Sequence, residues 1–83
     1  MKWTAIWSPR AQIELDKLPP EDIKRILKKT DDVEENPFLY LERLINSPFF
    51  KFRVGYYRII VDVVNDKLML HLLKVKKRSR VYD

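Results

Sequence analysis

The stretch Phe50-Lys51-Phe52-Arg53-Val54-Gly55-Tyr56-Tyr57-Arg58-Ile59-Ile60 alternates with a period of two up to the one glycine in the chain and resumes that period beyond it. Alternation of this kind belongs to strands with two unlike faces. Gly55-Tyr56 is a two-residue loop suited to a type II′ turn, in which glycine supplies the positive φ of the first central position. A two-residue loop sets the register: Val54 opposite Tyr57, Arg53 opposite Arg58, Phe52 opposite Ile59. Phe50, Phe52, Tyr57, Ile59 and Val61 are then expected on an apolar face, and Lys51, Arg53 and Arg58 on a basic one. Two further runs, Tyr57 to Val64 and Leu68 to Val75, extend the hairpin into a three-strand meander. Asn65-Asp66 marks the second turn. A two-residue loop and a three-residue loop ending at Lys67 would put His71 on opposite faces, and the sequence leaves both open.

Toward the N-terminus, Trp3, Ala5 and Trp7 alternate with Lys2, Thr4 and Ile6, which predicts a first strand. Both tryptophans are expected in the core, since a small domain needs large side chains there. Ser8-Pro9 follows as an N-cap with proline at the first helical position, and Ala11, Leu15 and Leu18 recur at helical spacing until Pro19-Pro20. Pro20 opens a second helix with Glu21 and Asp22 in its first turn. Ile23, Ile26, Leu27, Thr30 and Val33 form its stripe, and Asn36-Pro37 ends it. Phe38 to Phe49, broken at Asn46-Ser47-Pro48, is read as a connector in which Leu41, Leu44 and Ile45 can form a helical turn. The expected architecture is α+β in the order β-α-α-β-β-β, an antiparallel meander sheet with a helical hairpin packed on one face, residues 1–83 forming one small domain.

With 83 residues, no cysteine and one histidine, the chain offers neither a disulfide framework nor thiolate ligands, and no metal or other cofactor is expected. The start of the chain lacks an apolar signal core, and no segment approaches the roughly 20 apolar residues of a membrane helix, so a cytoplasmic protein without membrane contact is expected. The net charge of +5 is unevenly spread. Residues 1–49 hold eight Lys/Arg and nine Asp/Glu, net −1, whereas residues 50–83 hold nine and three, net +6. Such asymmetry favours a polyanionic partner, with RNA the expected one.

Arg53 opposite Arg58 is a like-charge cross-strand pair that costs up to about 1 kcal/mol unless an anion lies between them. Two guanidinium forks with Lys51 can clamp a phosphate and stabilise charge that develops on it; a solvated basic face is the competing interpretation. The run from Lys74 to Asp83 adds Lys74, Lys76, Lys77, Arg78 and Arg80, with Tyr82 among them, a mixture suited to backbone contact and base stacking. A charged, frayed terminus is the alternative there. Metal-free RNA cleavage needs a base for the 2′-hydroxyl, an acid for the 5′-oxygen and cations about the phosphate. His71, between Leu70 and Leu72, is expected to pack rather than catalyse. Tyr82 is the candidate base, with Arg53, Arg58 and Arg78 as charge stabilisers and candidate acids. Groups so far from neutral pKa must draw more acceleration from orientation of the substrate. The acidic pairs Asp31-Asp32 and Glu34-Glu35 lack ligand spacing and are read as a solvated helix end.

The hairpin from Phe50 to Ile60, followed about twenty residues on by Val75-Lys76-Lys77-Arg78-Ser79-Arg80-Val81-Tyr82, resembles the RelE/ParE superfamily of toxin-antitoxin toxins, specifically its RelE branch. The resemblance implies a ribosome-dependent endoribonuclease that cuts messenger RNA in the ribosomal A site, partnered by the 70S-type ribosome, mRNA and a RelB-like antitoxin that wraps the toxin and masks its basic groove. On this resemblance Lys51, Arg53 and Arg58 match the family's basic hairpin residues, Arg78 its tail arginine and Tyr82 its terminal tyrosine. The chain departs from the pattern where active relatives carry a second lysine, at Phe49 or Phe50, and where many carry histidine or glycine, at Lys76-Lys77. Two other roles stay open: a ParE-like inhibitor of DNA gyrase, and a noncatalytic relative that binds antitoxin or nucleic acid.

Overall fold

A computed structural model describes residues 2–77. In chain order these form β1 (Thr4–Trp7), α1 (Pro9–Asp16), α2 (Pro20–Glu35), β2 (Glu42–Arg43), β3 (Phe50–Val54), β4 (Tyr57–Val64) and β5 (Met69–Lys77). Ser8 makes the first reversal. Its Oγ accepts the Ala11 N–H at 3.1 Å, capping α1, while its hydroxyl donates to the Leu73 carbonyl at 3.1 Å and ties the helix start to β5. Pro9 stands at the first helical position. The αα turn at Leu18-Pro19 starts α2 without a side-chain cap, but Glu21 and Asp22 in its first turn complement the helix dipole.

The strands join in the order β1-β5-β4-β3-β2. The hairpin has the register that its loop length requires, with Phe52 opposite Ile59, Arg53 opposite Arg58 and Val54 opposite Tyr57. Gly55 takes φ +57°, as the first position of a type II′ turn demands. Phe52, Ile59, Val61, Leu70 and Leu72, each at most 1% exposed, meet Ala11 and Leu15 of α1 and Ile26 and Val33 of α2 on one face of the sheet. Each of the larger side chains contributes on the order of 2 kcal/mol by leaving water. Trp3 and Trp7 pack half-buried against this core, Trp3 edge-on to Phe38 at 5.8 Å between ring centroids.

Three details go beyond the sequence reading. The sheet is mixed rather than wholly antiparallel, because β1 pairs in parallel with β5, Ile6 opposite His71. An antiparallel meander leaves β5 an open edge, and β1 closes part of it. Two of the remaining edge amides are met by carboxylates: Glu34 takes the Ala5 N–H at 2.7 Å and Glu14 takes the Val75 N–H at 2.9 Å. The connector contains a 3-10 turn at Pro37–Leu39 and the short β2, not a helical turn at Leu41 to Ile45. The second hairpin has a four-residue loop, Asn65 to Leu68, with Leu68 in the left-handed region at φ +51°. An even loop length puts His71 opposite Asp62, on the face away from Leu70 and Leu72.

Tyr57 ties the hairpin to α2. Its ring lies in the core and its hydroxyl donates to Asp22 Oδ2 at 2.7 Å. That hydrogen bond, with burial and the Asp22 charge behind it and Arg25 opposing, raises the Tyr57 pKa above its ordinary 10.0. Folding therefore holds the phenolic proton more tightly than the unfolded chain does. The resulting stability is full below about pH 10 and is lost as the pH climbs through the folded value. Tyr57→Phe is expected to cost about 1 kcal/mol at neutral pH and to flatten the alkaline loss, as denaturant melts from neutral to alkaline pH would measure.

Candidate functional site

The face of the sheet opposite the helices holds a groove of about 240 Å³ lined by Arg58 and Ile60 of β4, Leu73, Lys74 and Lys76 of β5, and Leu44, Ser47 and Phe49 from the segment leading into β3. Register explains the convergence. Arg58 is opposite Lys76 and Ile60 opposite Lys74, so the three cations stand on two adjacent strands around one apolar patch. A β-bulge makes room: Val61 pairs with Leu72 and Ile60 with Lys74, leaving Leu73 as the extra residue. Leu73 lies on the groove face by alternation with His71, and the extra residue turns Lys74 and Lys76 onto that face as well, where strict alternation would have aimed them at the helices. Ile60, 7% exposed, is buried on this same face, so the face is mixed rather than purely basic. Cations over an apolar floor suit a phosphate with a sugar or base packed beside it.

Arg53 does not join this groove. Although directly opposite Arg58 in register, it lines a separate cleft against α2, and its Nε lies 3.9 Å from Glu42 Oε1. The like-charge pair is thus eased by divergence and a nearby carboxylate, not by an anion held between two forks. Lys51 is opposite Glu42 on one side and Ile60 on the other, on the groove's face but outside its lining. Lys77 is opposite Tyr57, on the helix-facing side of β5, and points to a different surface from Lys74 and Lys76. Arg78, Arg80 and Tyr82 lie outside the described residues. His71 lines a shallow pocket with Ile6, Trp7 and Leu73, away from Arg58.

Two groups escaped the sequence reading. Glu42, taken as part of a connector, sets a carboxylate beside Arg53. Arg25, Lys28 and Lys29 form a cationic stripe on α2 that lines the Arg53 cleft. The stripe was hidden because nine acids in residues 1–49 cancel it in the sum, although its i, i+3, i+4 spacing was visible. Among the described residues no group of three or more His, Cys, Asp or Glu gathers as a metal site.

A five-stranded mixed sheet backed on one face by a helical hairpin is a fold shared with RelE toxins. The toxin-antitoxin complex RelBE2 from Mycobacterium tuberculosis matches with a TM-score of 0.84 at 22% identity, covering 94% of this chain and 100% of that one. The archaeal RelE-RelB complex from Pyrococcus horikoshii gives 0.81 at 24%, covering 96% and 99%, and the intact RelBE complex from E. coli gives 0.79 at 24%, covering 94% and 99%. Among curated proteins there is no match. Residues 5–82 match the family model of the ParE toxin of type II toxin-antitoxin systems, parDE, and the chain belongs to that family. It is a toxin of a toxin-antitoxin system, built on the fold of the RelE proteins. Among the described residues no helix is long and apolar enough to cross a membrane.

The Arg53–Glu42 contact is long and both side chains are largely solvated, so Glu42→Gln should change folding stability by less than about 1 kcal/mol in urea melts. A larger loss would mean that the pair sets the position of Arg53.

Proposed function

We propose that this toxin is a ribosome-dependent, metal-independent endoribonuclease that cleaves mRNA in the ribosomal A site and so stops translation. The observation that carries the reading is the groove in which Arg58, Lys74 and Lys76 converge over Ile60 and Leu73. In the proposed reaction the substrate 2′-oxygen attacks the adjacent phosphorus, a 2′,3′-cyclic phosphate forms and the bond to the 5′-oxygen breaks. Arg58 stabilises charge on the phosphate oxygens, and Lys74 and Lys76 hold the flanking backbone. Tyr82, as its phenolate, takes the 2′-hydroxyl proton and Arg78 supplies the proton that the leaving 5′-oxygen takes up; the acid–base chemistry of these side chains suggests the two roles. Lys51 on the groove's face and Arg53 in the neighbouring cleft contribute field rather than contact, with Arg80 and Lys77 adding backbone attraction.

The proton-transfer groups are weak at neutral pH. Orientation of the strand by a larger RNA assembly supplies what the side chains do not, which is the physical case for dependence on the 70S-type ribosome. A RelB-like antitoxin is the proposed partner, because the M. tuberculosis, P. horikoshii and E. coli structures are toxin-antitoxin complexes. The cytoplasm, where ribosomes and mRNA meet, is the proposed site of action.

Inducing the chain alone in cells and mapping mRNA ends by primer extension tests the proposal. Codon-phased cuts are expected, abolished by Arg58→Ala, Arg78→Ala and Tyr82→Phe and weakened less by Arg53→Ala. Intact mRNA with damaged DNA would instead mark a gyrase inhibitor, and absence of toxicity a noncatalytic relative. In vitro, Lys76→Ala should lower the salt slope of single-stranded RNA binding by about 0.7.

A further inference from the structure

The cleft that holds Arg53 lies between α2 and the Gly55 turn, at the opposite edge of the sheet from β1, and has a volume of about 300 Å³. Four cations line it, Arg25, Lys28, Lys29 and Arg53, against one acid, Asp32. From this arrangement we infer that the cleft is a second RNA-binding site, which grips the phosphate backbone of a folded RNA while the groove on the sheet takes the single strand to be cut. The inference deepens the proposed ribosome dependence and rests on it.

Local structure builds the cleft deliberately. Arg25, Lys28 and Lys29 recur at i, i+3 and i+4, so they lie on one side of α2, separated by about one helical turn along its axis. Gly55 serves this surface as well as its own turn: a Cβ there would come within 3.1 Å of Arg25 Nη2, so the bare glycine lets the guanidinium settle against the hairpin. Lys29 is held over the Tyr40 ring, 4.2 Å from its centroid, which keeps its ammonium oriented without neutralising it. Arg25 has Asp22 only at 4.0 Å, and both it and Arg53 are largely solvated, so neither charge is satisfied in a buried pair.

The lining also discriminates between partners. Val54 is the one apolar side chain among the residues that line the cleft. A protein partner seeks a desolvated apolar or aromatic centre ringed by polar groups, which this surface does not offer. A phosphate backbone needs cations at repeated spacing and no apolar floor. Tyr56, next to Gly55 at the hairpin tip and 73% exposed, adds an aromatic face for a sugar or an unpaired base at the rim. The groove on the sheet has the contrary character, three cations around Leu44, Phe49, Ile60 and Leu73, as suits a strand with splayed bases.

The double variant Arg25→Gln/Lys28→Gln alters two exposed side chains and leaves Lys29 on Tyr40, and circular dichroism would verify its fold. Fluorescence anisotropy with a fully paired RNA stem-loop, a single-stranded RNA oligonucleotide and a poly-glutamate peptide then separates the outcomes. The inference expects the variant to lose roughly tenfold or more in stem-loop affinity, with a salt slope reduced by about 0.9 for each cation removed, while single-strand binding stays unchanged. Lys74→Ala/Lys76→Ala should show the reverse pattern. Equal stem-loop binding by wild type and variant would overturn the inference, as would loss of the peptide alone, which would make the cleft a site for an acidic protein segment. Loss of both RNAs together would mean one continuous surface and also overturn it. Failure of mRNA cleavage in cells bears on the proposed reaction and leaves the stem-loop result standing by itself.

Discussion

The two-sided burial of β4 is the constraint on which the molecule depends. Tyr57, Ile59 and Val61 enter the core with the helices, while Arg58 and Ile60 face the other way, and both neighbouring strands take their register from this one. A slip of one residue would drive Arg58 into the apolar core and expose Ile59, moving a half-buried guanidinium from the edge of a polar groove into an apolar interior at a cost of several kcal/mol. The same alternation therefore sets the core and the basic groove, and neither can change without the other.

The pieces around β4 serve this arrangement. The helices cover only one face, leaving the opposite face free for the groove, and the segment from Leu44 to Phe49 folds over that face to give the groove a side wall. The bulge at Leu73 turns Lys74 and Lys76 onto the sheet face that carries Arg58. Glu14 and Glu34 then satisfy edge amides that would otherwise invite another strand. Tyr57 and Asp22 bind the hairpin to α2, so the cleft at that edge has two walls tied together by a hydrogen bond.

Much of the fold was legible because it rests on short-range rules. The period-two runs, Gly55, Ser8-Pro9 and Pro19-Pro20 each act within a few residues, and each element they mark is present. The region from Phe38 to Phe49 was not legible, since β2 has two residues and exists only because β3 offers an edge beside it. The parallel seating of β1 was hidden for the same reason: pairing across more than sixty residues leaves no local periodicity. Of the candidate site residues, Arg58, Lys74 and Lys76 share the groove, whereas Arg53 and Lys77, adjacent to them in sequence or register, serve other surfaces.

The residue order by itself determined the hairpin register, the identity of the core face and the excess of positive charge in the last third, because alternation and a two-residue turn allow one pairing. Tertiary structure decided where that charge goes. Side chains on one strand face diverge once neighbours such as Glu42 and α2 compete for them, and a bulge shifts which residues meet across a ladder. The basic patch read as one surface is consequently two, a groove on the sheet and a cleft against the helix, divided by the edge of β3.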